Sequence, residues 1–149
     1  MDTTILENLK KFDEALKAFD KAIELDGKFV NAYVNKVIIF YNTNKPQECL
    51  DTANTALAMD PDNILLNIDK GWALRNLNKY GEALLVYDKL ITLNPKDAGS
   101  YGNKAVCLYF LKRYDEALAS VERALELEYK NSYAHTFKGL ILRAQGKSD

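Results

Sequence analysis

Apolar residues recur at spacings of three and four along almost the whole chain, as in Tyr101, Ala105 and Leu108, then Tyr114, Ala117, Leu118, Val121, Ala124 and Leu125. This is the stripe of an amphipathic helix, and it occurs twice per unit of sequence. A short polar break such as Asn76 to Lys79 separates the two stripes. "MDPDN" at 59–63 or "LNPKD" at 93–97 follows the second, where proline stops a helix from continuing. The pattern predicts an all-α chain of helical hairpins.

The hairpins repeat. "KRYDEALASVERALELE" at 112–128 paraphrases "NKYGEALLVYDKLITLN" at 78–94, and "KFDEALKAFDKAIELD" at 11–26 and "KPQECLDTANTALAMD" at 45–60 fall into the same frame of 34 residues. A hairpin of two helices of about 13 residues is too narrow to bury its own stripe, so hairpins must stack to hide it. The small residues Ala15, Cys49, Ala83 and Ala117, and likewise Gly71, Ala105 and Gly139, are expected where two helix axes come closest.

This arrangement resembles the tetratricopeptide repeat, whose first helix carries W-x2-L-G-x2-Y and whose second carries A-x3-F-x2-A before a proline. In that family's frame the chain is one domain over 1–149. A partial repeat covers 1–29, full repeats cover 30–63, 64–97 and 98–131, and the first helix of a further repeat, or a cap, covers 132–149. The tryptophan slot departs from the pattern, holding Tyr33, Asn67, Tyr101 and His135, and the leucine slot holds Lys36, Lys70, Lys104 and Lys138. The resemblance implies an α-solenoid, a right-handed superhelix whose first helices line a concave groove.

Helix geometry then selects the residues that face the groove. With Tyr33 or Tyr101 pointing into the hairpin, slots two, six, nine and thirteen lie about half a turn away. They hold Asn31, Asn35, Ile38 and Asn42; Leu65, Asp69, Trp72 and Asn76; Gly99, Asn103, Val106 and Phe110; Tyr133, Phe137, Leu140 and Ala144. Beside them one slot recurs as Tyr41, Arg75, Tyr109 and Arg143. Asparagine amides can hydrogen-bond a peptide backbone whatever its side chains, and Trp72 and Phe110 offer apolar anchors. The competing readings are that Trp72 fills a gap between neighbouring first helices and that the asparagines are solvated polar positions.

The family's chaperone-tail clamp, built of lysine, asparagine and arginine, is not expected. Asn35 and Asn103 match its asparagine position, but slots two and six hold no lysine or arginine, and Asp69 would repel a carboxylate. The lysine ladder lies off the groove centre and is expected to be structural, with aliphatic stems packed under solvated heads. His135 falls in a core slot, where a buried, hydrogen-bonded imidazole is expected.

The ends raise two further questions. Ile5, Leu9, Phe12, Leu16, Phe19 and Ile23 alternate spacings of four and three, and neither Gly nor Pro interrupts 3–26. One long helix and a shortened first helix turning near Lys10 are both compatible with this. Phe12, Leu16 and Phe19 at one end and Leu140 and Leu142 at the other suggest head-to-tail self-association through terminal helices. The chain being a piece of a longer array is the alternative.

Charge and composition narrow the function. Twenty basic and 21 acidic side chains give a net charge of −1, which provides no overall field for nucleic acid or anionic lipid. Two cysteines without C-x-x-C spacing and one histidine supply neither a zinc set nor, with the carboxylates present, a catalytic constellation. "DPDN" at 60–63 lacks the glycine and distal glutamate of a calcium loop, and "GSYGNK" at 99–104 is not a phosphate loop. The expectation is a non-catalytic, cofactor-free, cytoplasmic module that binds a protein or peptide, with no nucleic-acid or membrane partner.

Overall fold

The structure is a computed structural model that describes residues 2–148; among them it contains eight helices and no strand. They are α1 (Thr3–Leu25), α2 (Val30–Asn42), α3 (Pro46–Met59), α4 (Ile64–Asn76), α5 (Tyr80–Leu93), α6 (Ala98–Phe110), α7 (Tyr114–Leu127) and α8 (Ser132–Ser148). The starts of α2, α4, α6 and α8 keep the sequence period of 34 without drift. Helix α1 is continuous over 23 residues, which settles the open question at the N-terminus. No helix breaker lies within it, and the Asp2 carboxylate caps its first turn by accepting from the Thr4 N–H.

The turn inside each hairpin is made the same way. Asn44, Asn78 and Lys112 take φ of 55°, 59° and 60°, in the left-handed region. The following N–H then reaches back to close a six-to-one bond: Lys45 to Phe40 O, Lys79 to Leu74 O and Arg113 to Leu108 O, at 2.8, 2.8 and 2.9 Å. This is the Schellman ending, which satisfies carbonyls left over at the helix C-terminus. Pro46 opens α3 at a position whose N–H has no helical partner to lose.

The turns between hairpins explain the departure at the tryptophan slot. In three copies the slot's side chain reaches back six residues to a turn carbonyl: Tyr33 Oη to Gly27 O at 3.2 Å, Asn67 Nδ2 to Pro61 O at 3.0 Å, and His135 Nε2 against Tyr129 O at 2.9 Å. A polar group tip is needed there, and tyrosine, asparagine and histidine all supply one. His135 is hydrogen-bonded as expected but exposed, not buried. Its ring stands edge-on to Tyr129 at the surface.

The chain forms two compact units, the first ending at Ala73 and the second starting at Leu74. In the first unit α2 packs on both α1 and α3, and Ala32, Val37, Ile39, Cys49, Leu50, Ala53, Ala56 and Leu66 are buried. Helix α1 contributes no buried residue: Phe12, Leu16 and Phe19 are half-buried, and Ile5, Leu6 and Leu9 are exposed. In the second unit α6 packs on α5, α7 and α8, around Ala83, Leu90, Ala105, Cys107, Leu108, Ala117, Val121 and Ile141. Cys49, Ala83 and Ala117 occupy one slot at spacings of 34 and are fully buried, as close helix packing requires. Gly139 does not follow this pattern; it is exposed, and a Cβ there would meet nothing within 4 Å.

The lysine ladder is tied down by acids on the preceding helix. Lys36 pairs with Asp20 at 2.6 Å, Lys104 with Asp88 at 2.8 Å and Lys138 with Glu122 at 3.7 Å. For Lys70 the corresponding position of the sequence frame, sixteen residues earlier, holds Asn54 in place of a carboxylate.

Candidate binding face

The first unit presents α2 and the first three turns of α4 side by side. Tyr41, near the end of α2, stands edge-on to Trp72 on α4, with ring centroids 4.7 Å apart and planes at 63°. Tyr41 is 45% exposed and Trp72 half-buried, so the pair is a surface feature with one wall in the fold. Asn31, Asn35, Ile38 and Asn42 are exposed along α2, and Leu65 is exposed on α4. The Asn35 side-chain N–H2 donates to Asn31 O at 2.8 Å, which steadies one amide against its own helix.

Asp69 lies one turn before Trp72 on α4 and is half-buried. The Cys49 thiol donates to its backbone carbonyl, Sγ to O 3.7 Å, fixing α4 against α3. Loss of water around the Asp69 carboxyl raises its pKa from 3.8 to about 6. Burial, and then the nearby Asp69 charge, pushes the Cys49 thiol up to about 12. That thiol is therefore a packing group rather than a nucleophile.

In the second unit Arg75, in the last turn of α4, donates from its guanidinium to Asn103 Oδ1 on α6. The two residues are 28 apart. The same offset joins Tyr109 to Phe137, whose rings meet edge-on at 5.8 Å, so slots twelve and six of successive first helices are neighbours. Around them Tyr80 stacks on Phe110 at 4.8 Å, and Tyr109 touches Phe110 and Tyr114. A shallow cavity of about 120 Å³ opens between α6 and α8, with Gly99, Gly102 and Asn103 on one side and Tyr133 and Phe137 on the other. Gly102 lines it without a side chain, and a Cβ built there would meet nothing within 4 Å, so there is open space beside it.

The residues expected to face a ligand thus divide by slot. Slot two is open in every copy: Asn31, Leu65, Gly99 and Tyr133 are exposed. Slot thirteen is open at Asn42, Asn76 and Phe110 and half-buried at Ala144. Slot nine is not uniform. Ile38 is exposed, Trp72 and Leu140 are half-buried, and Val106 is only 3% exposed. Val106 therefore offers no surface to a ligand; α6 is packed on α5, α7 and α8, and this slot is covered. At the chain ends Leu142 is exposed and Leu140 half-buried. No sequence signal marked the Arg75–Asn103 bond; the offset of 28 would have found it.

Among the described residues no group of three or more His, Cys, Asp or Glu side chains could hold a metal ion. No helix among the described residues is long and apolar enough to cross a membrane.

Comparison with solved structures gives the fold. The crystal structure of MamA protein superposes with a TM-score of 0.88 at 17% identity, over 94% of this chain and 76% of that one. The crystal structure of YrrB, a TPR protein with an unusual peptide-binding site, gives 0.85 at 24% identity over 96% and 74%. The first TPR of Spaghetti (RPAP3), bound to the HSP90 peptide SRMEEVD, gives 0.74 at 24% identity over 81% and 96%. A search of curated proteins by sequence returned no match. One tetratricopeptide repeat family model matches residues 68–127 and 108–149, and a second matches residues 4–29. The fold is a helical solenoid of tetratricopeptide-type hairpins, and the chain belongs to the tetratricopeptide repeat family.

Proposed function

We propose that the chain is a non-catalytic interaction module that binds a peptide or a helix of a partner protein on the face carried by its first helices. The observation that carries this reading is the Tyr41–Trp72 pair, an exposed aromatic wall flanked by the open asparagines of α2. Aromatic residues held against a rigid scaffold lose little entropy on contact and dominate binding energy. In the second unit Tyr109, Phe110 and the Gly102 cavity offer a second apolar contact, with Arg75 and Asn103 bonded to each other beside it. Peptide sites in YrrB and in the RPAP3 domain, on the same fold, support the reading.

Affinity capture from native lysate, run in parallel with the wild-type chain and the Trp72→Ala variant, tests it. Loss of a captured partner by a variant that keeps its helical circular dichroism is the expected result. Capture unaffected by Trp72→Ala and by Tyr41→Ala contradicts it.

A second reading, self-association, draws on Ile5, Leu6 and Leu9, which are exposed on α1 beside half-buried Phe12, Leu16 and Phe19, and on exposed Leu142 of α8. It requires concentration-dependent mass in light scattering that Leu9→Glu or Leu142→Glu abolishes.

A further inference from the structure

Asp69 is half-buried, yet among the described residues no lysine, arginine or histidine forms an ion pair with its carboxylate. The cations nearby in sequence are directed elsewhere. Lys36 is bound to Asp20, Arg75 donates to Asn103, and Lys70, the next residue on α4, leaves the helix about 100° round from Asp69.

The repeat frame says what stands beside the carboxylate. An offset of 28 joins Arg75 to Asn103 by a hydrogen bond and Tyr109 to Phe137 by a ring contact. The same offset from Asp69 falls on Tyr41, and Tyr41 is in contact with Trp72, one turn further along α4. A carboxylate, a phenol ring and an indole therefore share one patch. The exposed asparagines of α2, Asn31, Asn35 and Asn42, carry no charge.

We infer that Asp69, Tyr41 and Trp72 form a recognition point for a cationic side chain, a lysine or arginine of the bound segment. The inference rests on the binding face proposed above and names its ligand chemistry. A cation seated there meets an unpaired carboxylate in partly desolvated surroundings and the rings of two aromatics, which attract it by their quadrupoles. An acidic segment meets the opposite field. Burial raises the Asp69 pKa to about 6, so the carboxyl is mostly ionised at neutral pH at a cost in lost hydration, and a bound cation favours the ionised form further.

Selection of short random peptides on the immobilised full chain, for wild type and Asp69→Asn in parallel, tests the inference. The expected outcome is enrichment of Lys or Arg at one peptide position with the wild type and loss of that enrichment with Asp69→Asn. Replacing the enriched residue by norleucine weakens binding to the wild type about tenfold and to Asp69→Asn by less than about threefold. Peptides that lose affinity for Trp72→Ala but show no basic position overturn this inference alone. Peptides indifferent to Trp72→Ala, or none selected at all, overturn the binding face as well.

Discussion

The ring of Tyr41 on α2 stands edge-on to the indole of Trp72 on α4, 4.7 Å between centroids, and this contact ties neighbouring first helices of the first unit together at their surface. The two expectations for Trp72, ligand anchor and gap filler, are therefore not exclusive. Most of the side chain is covered at the seam, and part of it remains accessible to a partner.

Trp72→Ala is expected to cost affinity for a bound peptide by about 1–3 kcal/mol, the range of an interface hot spot. Tyr41→Ala should alter the emission maximum of the chain's single tryptophan without a ligand, because it removes a ring from one side of the indole. Fluorescence titration of both variants measures the two effects.

Asp69 makes stability depend on pH. Its folded pKa, raised by burial from 3.8 to about 6, means that the folded chain holds more protons than the unfolded chain between those values. Stability therefore falls as pH rises from about 4 through 6, and Asp69→Asn removes that loss. At pH 7.5 the variant should be more stable by about 1–2 kcal/mol, discounted for the partial exposure of the side chain. Below about pH 4 the difference should close. Urea denaturation at both pH values provides the measurement.

Lys112 is a non-glycine residue at φ 60°, where its two counterparts are asparagines. Asn44 and Asn78 tolerate the left-handed turn, and lysine does so less well. Lys112→Gly should stabilise the chain by about 0.5–1 kcal/mol, the relief of strain exceeding the added freedom of the unfolded chain. Thermal denaturation followed by circular dichroism gives the sign.

Cys49 and Cys107 are free and buried, and burial raises their pKa to about 12 and about 11. Both thiols should resist Ellman's reagent in the native chain at pH 8 and react at the rate of free cysteine in denaturant. Fast native labelling of either would contradict the packing described for α3 and α6.

Much of the fold was legible because the packing problem recurs every 34 residues, and each solution writes the same small and apolar residues into the sequence. The helix starts followed from that period set in the family's frame, and the buried slot of Cys49, Ala83 and Ala117 from the period itself. What was not legible lies in contacts across the period. Val106 is covered by the helices packed around α6, which its own stripe does not show. His135 sits in a slot that faces a turn carbonyl, so it is hydrogen-bonded without being buried. The acids Asp20, Asp88 and Glu122 that pair three lysines of the ladder share one slot of the frame, but only a comparison of two slots sixteen residues apart reveals them.

The most direct test of the binding face is an amide chemical-shift map of the isotope-labelled full chain titrated with the tightest selected peptide. The account predicts the largest shifts at Tyr41, Asp69 and Trp72, with lesser shifts at the exposed asparagines of α2. Shifts confined to α3, α5 and α7, or to the apolar face of α1, would contradict it.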